Sequence, residues 1–172
     1  MYSDVGLLHV MLKEIELHRC ADVLLWRLKT SRKGRYGKDD IVLIQYELAA
    51  VKMAEILQAK LLDMGMNQVV LMGFTSQMER NFFEKANKKQ LVFQIPGQRE
   101  LYEKLDGTIY LHAPESLIHL SHLDPKKIGK AAIARKPLRD ILRKREGMGS
   151  FGWTLCMLPT LELANKAGIS MK

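Results

Sequence analysis

The stretch IVLIQYELAAVKMAEILQAKLLDMGMNQVVLMGF, residues 41–74, decides the fold. It opens on the apolar run IVLIQY (41–46), too short for a helix and rich in β-branched residues, which reads as a buried strand. ELAAVKMAEILQAKLLDM (47–64) follows, with Val51, Ala54, Ile56, Leu57, Leu61 and Leu62 forming a broad apolar stripe at helical spacing. Gly65 is a natural left-handed stop for that helix. NQVVLMGF (67–74) is a second buried strand. Strand, helix, glycine stop and strand make a right-handed βαβ unit, which places the two strands parallel.

Outward from this unit, residues 4–31 read as one long amino-terminal helix or two abutting ones, with Leu7, Leu8, Met11, Leu12, Ile15, Val23, Leu24 and Leu28 at mixed three- and four-residue spacing and Asp4 as the N-cap. Gly34 and Gly37 punctuate the basic turn after it. On the other side, Ser76 and Glu79 have the spacing of a capping box for a helix at 77–87. LVFQI (91–95) and TIYLHA (108–113) are further strand candidates, with a short helix at 98–105 between them. Residues 126–145 read as helical around a boundary at Pro137, WTLCML (153–158) as a last strand, and 161–167 as a last helix. The expected architecture is a single α/β domain over residues 1–172: three layers, with a mostly parallel β-sheet flanked by helices and a long N-terminal helix. There is no linker and no internal repeat.

Composition fits this picture. The chain has 172 residues, 47% hydrophobic and 27% charged, enough apolar material for a core and too much for a wholly disordered chain. No apolar run approaches the roughly 18–20 residues that span a bilayer, which argues against a membrane partner. The opening MYSDVGLLHVMLKEIELHRC carries acids where an export signal has a basic start. Its two cysteines, Cys20 and Cys156, lie far apart, form no C-x-x-C motif, and read as buried, inert side chains of a helix and a strand in a reducing, cytoplasmic setting.

The net charge of +8 is concentrated. Residues 126–145 hold nine basic side chains against the single acid Asp140, so this segment carries all of it and the rest of the chain sums to zero. Lys126, Lys130, Arg135, Arg139 and Arg143 are therefore candidate anion-binding residues, and a nucleic-acid or anion-binding module is the alternative function. No aromatic residue interleaves the segment, which weighs against nucleic acid and towards a solvated helix face.

Motifs for chemistry are scarce. Gly34, Gly37 and Lys38 have the wrong spacing for a phosphate loop. The turn at residues 73–76 could cradle a nucleotide phosphate, although a capped helix start explains it equally well. His112, Glu115, His119 and His122 lie within eleven residues, but Pro114 interrupts any helix that would align them, and no zinc motif is present. They read as a surface loop.

Several strings carry a resemblance. Gly37-Lys38-Asp39-Asp40 precedes the first strand, and the long helix closes on Gly65. Gly152-Trp153-Thr154-Leu155-Cys156-Met157-Leu158-Pro159-Thr160 is followed by Glu162, Leu163-Ala164 and Ala167-Gly168-Ile169-Ser170. Together these resemble the N-terminal domain of the thermophilic-type metalloaminopeptidases (aminopeptidases T, S and II), in element order over residues 20–170 and most specifically over 152–170. Leu161 departs from the pattern, standing where a proline is common.

The resemblance implies a cytoplasmic, homodimeric exopeptidase that removes N-terminal amino acids from a peptide substrate using two divalent metal ions (cobalt, zinc or magnesium). In that family a metal-bridged water attacks a carbonyl that the metals polarise. The metal ligands sit in a second, C-terminal domain. None maps here, so no catalytic and no metal residue is carried over, no metal is expected bound, and the fragment is expected to be inactive alone. Ser170, a cap with only two residues after it, fits a chain that stops where a longer protein continues. By the same analogy the domain helps wall the substrate cavity, with Trp153, Pro159 and Thr160 as candidate cleft-lining residues near the domain junction; the competing reading is that Trp153 is packed core.

Overall fold

The computed structural model describes residues 12–169. The expected Asp4 cap, residues 4–11 of the expected helix and Ser170 lie outside the described residues; within them the helix begins at Glu14, after Lys13 in extended backbone, and not at residue 4. Four strands, β1 (Ile41–Tyr46), β2 (Asn67–Met72), β3 (Gly107–His112) and β4 (Gly152–Met157), form one sheet in the order β2-β1-β3-β4. Every pairing is parallel. The helices are α1 (Glu14–Thr30), α2 (Val51–Asp63), α3 (Ser76–Lys85), α4 (Gln98–Lys104), α5 (Pro125–Ala134), α6 (Lys136–Met148) and α7 (Leu161–Ala167). The βαβ unit read from residues 41–74 is present, and Gly65 ends α2 with φ +74°.

The strand order explains the layers. The step from β1 to β2 runs one way across the sheet, and the steps to β3 and β4 run the other way. Right-handed crossovers therefore put α2 on one face and α4 and α6 on the opposite face. α1 joins α2, and Leu17, Ala21, Leu24, Leu28, Met53, Leu57 and Leu61 close over Val42, Ile44, Ile109 and Leu111 to make the main core. Complete burial of a side chain such as Leu57 or Leu61, both 0% exposed, contributes about 1.5–3 kcal/mol. A second cluster on the other face joins Leu43 to Leu105, Leu142 and Phe151. A third, Phe83, Ala86, Leu91 and Ala131, holds α3 and α5 together beside the sheet.

Two local expectations are corrected. LVFQI is not a strand: residues 90–92 form a 3-10 turn. The Asn87 side chain accepts from the Lys89 and Gln90 N–H groups, and the Gln90 side chain accepts from Asn87 N–H. This winds the chain before Pro96, burying Leu91 and leaving Phe93 and Ile95 exposed. The cap of α3 is Thr75, whose Oγ1 accepts from Met78 N–H at 3.2 Å, and not Ser76. Pro137 sits in the first turn of α6, where its missing N–H costs nothing, so the break between the two basic helices falls at Arg135.

α1 docks tightly at the amino-terminal edge of the sheet. A Cβ on Gly152 would run into the Ser31 hydroxyl and lie 2.9 Å from both Ser31 Cβ and the Tyr36 hydroxyl; a Cβ on Gly107 would lie 2.7 Å from the same Tyr36 hydroxyl. Both positions need glycine because of close approach. Below them Arg32, its side chain only 9% exposed, bridges Asp40 and Asp106 and stacks over the Tyr36 ring at 3.9 Å. Asp106 also accepts from Ile41 N–H at 2.9 Å, and Tyr36 donates to the Asp106 carbonyl at 3.0 Å. Burial, the largest cause, raises the Tyr36 phenol above its ordinary value.

Candidate functional site

In an open parallel sheet, the carboxyl ends of the strands where the crossovers diverge form the natural crevice. Here that point lies between β1 and β3, and a small cavity of about 50 Å³ occupies it. Glu47, directly after β1, accepts from Ala113 N–H at 2.7 Å and lies 3.3 Å from His112 Nδ1. Glu115 accepts from Ser76 N–H, the first amide of α3, at 3.2 Å. Glu79 meets His119 Nε2 at 2.8 Å, while His119 Nδ1 faces the Ser116 carbonyl at 2.9 Å.

This arrangement bears on two of the sequence readings. The turn at 73–76 is not an open phosphate cradle. Glu115 already fills the start of α3, and Glu47 and Glu79 line the same cavity, so an anion there would meet like charge. The histidines do not converge either: His112 pairs with Glu47, His119 with Glu79, and His122 stays exposed. Among the described residues no three His, Cys, Asp or Glu side chains are grouped to hold a metal ion. The residues present do not fit a metal pair. From the sequence, Glu79 enters only as half of a capping box and Glu47 only as an acid after the first strand that disfavours a bound phosphate; neither reads there as a partner of a histidine, and the signal for Glu47 is its place directly after the first strand of a βαβ unit, where crossovers diverge.

A second surface is more extensive. Parallel sheets are normally covered on both faces. α4 and α6 cover one face only over its amino-terminal half, where Leu43 is buried. Towards the carboxyl ends the cover gives out. Trp153, Leu155 and Met157 alternate along the edge strand β4 and are 43%, 47% and 58% exposed. They lie in register with Thr108, Tyr110 and His112 on β3, and Gln45 and Leu71 continue the row across β1 and β2. Trp153 is thus not packed core. Its indole N–H donates to Glu146 at 2.8 Å, so its polar edge is held against α6 while the ring stays accessible. Pro159 is exposed beyond the far end of β4, about 20 Å along the strand direction from Trp153. Thr160 is buried as the N-cap of α7, accepting from Leu163 N–H at 3.3 Å.

The basic segment occupies α5 and α6, and several of its charges serve the fold. Lys127 donates to the Phe83 and Glu84 carbonyls at the end of α3. Arg139 donates to the Ala132 carbonyl, Lys136 pairs with Asp140, and Arg145 reaches the Glu103 carbonyl beside Asp106. The Lys136 hydrogen bond, with Arg143 and Arg139 nearby, holds the Asp140 carboxyl below its ordinary value. Lys126, Lys130, Arg135 and Arg143 are exposed.

A family model described as thermophilic metalloprotease (M29) matches residues 13–170. Among solved structures, wild-type AmpT from Thermus thermophilus aligns with a TM-score of 0.64 at 15% identity, over 85% of this chain and 36% of that one. At that identity the likeness is one of fold, and the chain spans about a third of AmpT's length. A periplasmic-binding ribose operon repressor protein from Lactobacillus acidophilus (TM-score 0.33, 11% identity, 84% of this chain and 60% of that one) aligns too weakly to carry an argument. The same holds for the rat Sly1 N-terminal domain (TM-score 0.32, 12% identity, 83% of this chain and 94% of that one). No curated protein matches the chain.

Proposed function

The chain belongs to the thermophilic metalloprotease (M29) family, and from that premise we propose that it is the N-terminal domain of a metal-dependent aminopeptidase. Its bare sheet face then packs towards the catalytic portion and helps to wall the peptide cavity. The family match over residues 13–170 carries this reading. The accessible Trp153 ring supports a cleft-lining role for that side chain, and Pro159 and Thr160 shape the corner after β4. At the carboxyl edge of the sheet Glu47, Glu79 and Glu115 engage neighbouring histidines and amides rather than one another, so the reading places the two divalent ions (cobalt, zinc or magnesium) in a further domain and leaves these residues without turnover of their own. A cytoplasmic homodimer is the setting that completes the proposal. No helix of the described residues is long and apolar enough to cross a membrane.

Two measurements test it. The purified chain is assayed with leucyl-p-nitroanilide and added cobalt or zinc; no turnover is expected, and turnover would show a self-contained site. The chain is then substituted for the matching portion of AmpT from Thermus thermophilus. A folded, metal-loaded chimera that hydrolyses the same substrate supports the reading, and one that folds and loads metal without turnover counts against it.

A further inference from the structure

Cys20 and Cys156 are far apart in sequence but not in the fold. Cys20 lies on α1 and Cys156 on β4, both only partly buried, and both border the same core cluster. α1 runs antiparallel to β4, and its end is fixed by the contact between Ser31 and Gly152. From that point Cys20 stands eleven residues back along the helix, about 16 Å at the helical rise. Cys156 stands four residues along the strand, about 13 Å at the strand rise. The two therefore reach nearly the same height. Both also face the shared layer. Cys156 has the parity of Gly152 and Thr154, the side of the sheet that α1 covers, and Cys20 adjoins the buried stripe of Leu17, Ala21 and Leu24. Ala21, fully buried, and the bare Gly152 keep the helix close to the strand. Burial first, and the neighbouring Cys20 second, push the Cys156 thiol above its ordinary value.

We propose that Cys20 and Cys156 form a thiol pair that closes into a disulfide, clamping α1 onto the edge strand β4 when a low-molecular-weight disulfide is in excess. One cysteine thiolate attacks a sulfur of the small disulfide RSSR, forming a mixed disulfide and releasing RS⁻. The second thiolate attacks the protein-side sulfur of the mixed disulfide and releases the second RS⁻. The protein loses two thiol protons and two electrons, and RSSR becomes two RSH. The pair responds to redox conditions independently of any peptidase activity.

The test uses the full chain and glutathione redox buffers, first under native conditions and then in urea. After acid quenching and alkylation, mass spectrometry counts the species and peptide mapping assigns them. The expected product is a monomer about 2 Da lighter with Cys20 linked to Cys156. Its equilibrium constant should be at least about 100-fold greater under native conditions than in urea, because folding brings together two groups otherwise separated by a long loop. Mixed glutathione adducts or free thiols at both positions throughout the redox range would overturn the proposal. A native constant no larger than that in urea would do the same. Neither measurement needs a variant that might fail to fold.

Discussion

The contact between α1 and β4 can be tested at Gly152. In Gly152→Ala the added methyl would overlap the Ser31 hydroxyl and sit 2.9 Å from Ser31 Cβ and from the Tyr36 hydroxyl. Neither neighbour can yield freely. Ser31 caps α1 and donates from Oγ to the Leu28 carbonyl at 2.7 Å, and Tyr36 donates to the Asp106 carbonyl. Overpacking a tight site costs about 1–3 kcal/mol, and displacing a hydrogen-bonded neighbour places this case at the upper end, about 2–3 kcal/mol. For a chain of this size that lowers Tm by about 4–12 °C. Ser31→Ala alone gives up one local hydrogen bond, worth about 1 kcal/mol. It also removes the atom that the new methyl strikes hardest. The double variant should therefore be more stable than the sum of the single losses predicts, with a coupling of about 1 kcal/mol. Urea unfolding followed by circular dichroism reads all three variants. A Gly152→Ala chain within about 0.5 kcal/mol of the parent, or a strictly additive double variant, would refute the close approach of α1 to β4.

Three further outcomes follow from the same structure. Arg32→Met, which leaves Asp40 and Asp106 without their shared cation, should cost about 3–5 kcal/mol in urea unfolding; Arg32→Lys should recover only part, since a compact ammonium lacks the planar guanidinium that meets both carboxylates while lying over the Tyr36 ring. Burial raises the phenols of Tyr36 and Tyr110 and the thiol of Cys156. Their contribution to stability is therefore present below their ordinary values, near 8.5 for the thiol and 10 for the phenols, and is lost as pH rises through the higher folded values; a urea midpoint unchanged between about pH 8 and 11 would contradict this. Finally, a labelled single-stranded 20-mer should not bind at about 0.15 M salt. Retained binding with a log–log salt slope near −3, as about four neutralised phosphates would give, would shift the function towards the anion-binding alternative on Lys126, Lys130, Arg135 and Arg143.

The sequence was most legible where local pattern and tertiary role agree. The stripe on α2, the glycine after it and the flanking apolar runs each have one good solution, and together they set a parallel sheet. LVFQI misleads because an apolar run says only that something is buried. The Asn87 and Gln90 side chains, which draw the backbone into a turn, decide the local shape. Trp153 illustrates another limit. Alternation along 153–157 reports two faces, but which face is covered depends on α6 ending before the sheet does. The neighbourhood of Cys20 and Cys156 could not be read because it depends on the antiparallel course of a helix and a strand at opposite ends of the chain. The acids at the carboxyl edge were visible one by one, Glu79 in a capping box and Glu115 beside the histidines, but not as neighbours, since Glu47, Glu79 and Glu115 line one cavity only after two crossovers.

The placement of α1 also shapes how the molecule comes into being. α1 is made early, yet the strands it covers directly, β3 and β4, are made late. At roughly 5–20 residues per second, on the order of ten seconds pass between the two on a ribosome. Through that interval the apolar stripe of Leu17, Ala21, Leu24 and Leu28 has its α2 neighbours but lacks the strands that complete its seat. Its flank against α2 can form first, and the rest stays open to solvent until translation delivers β4.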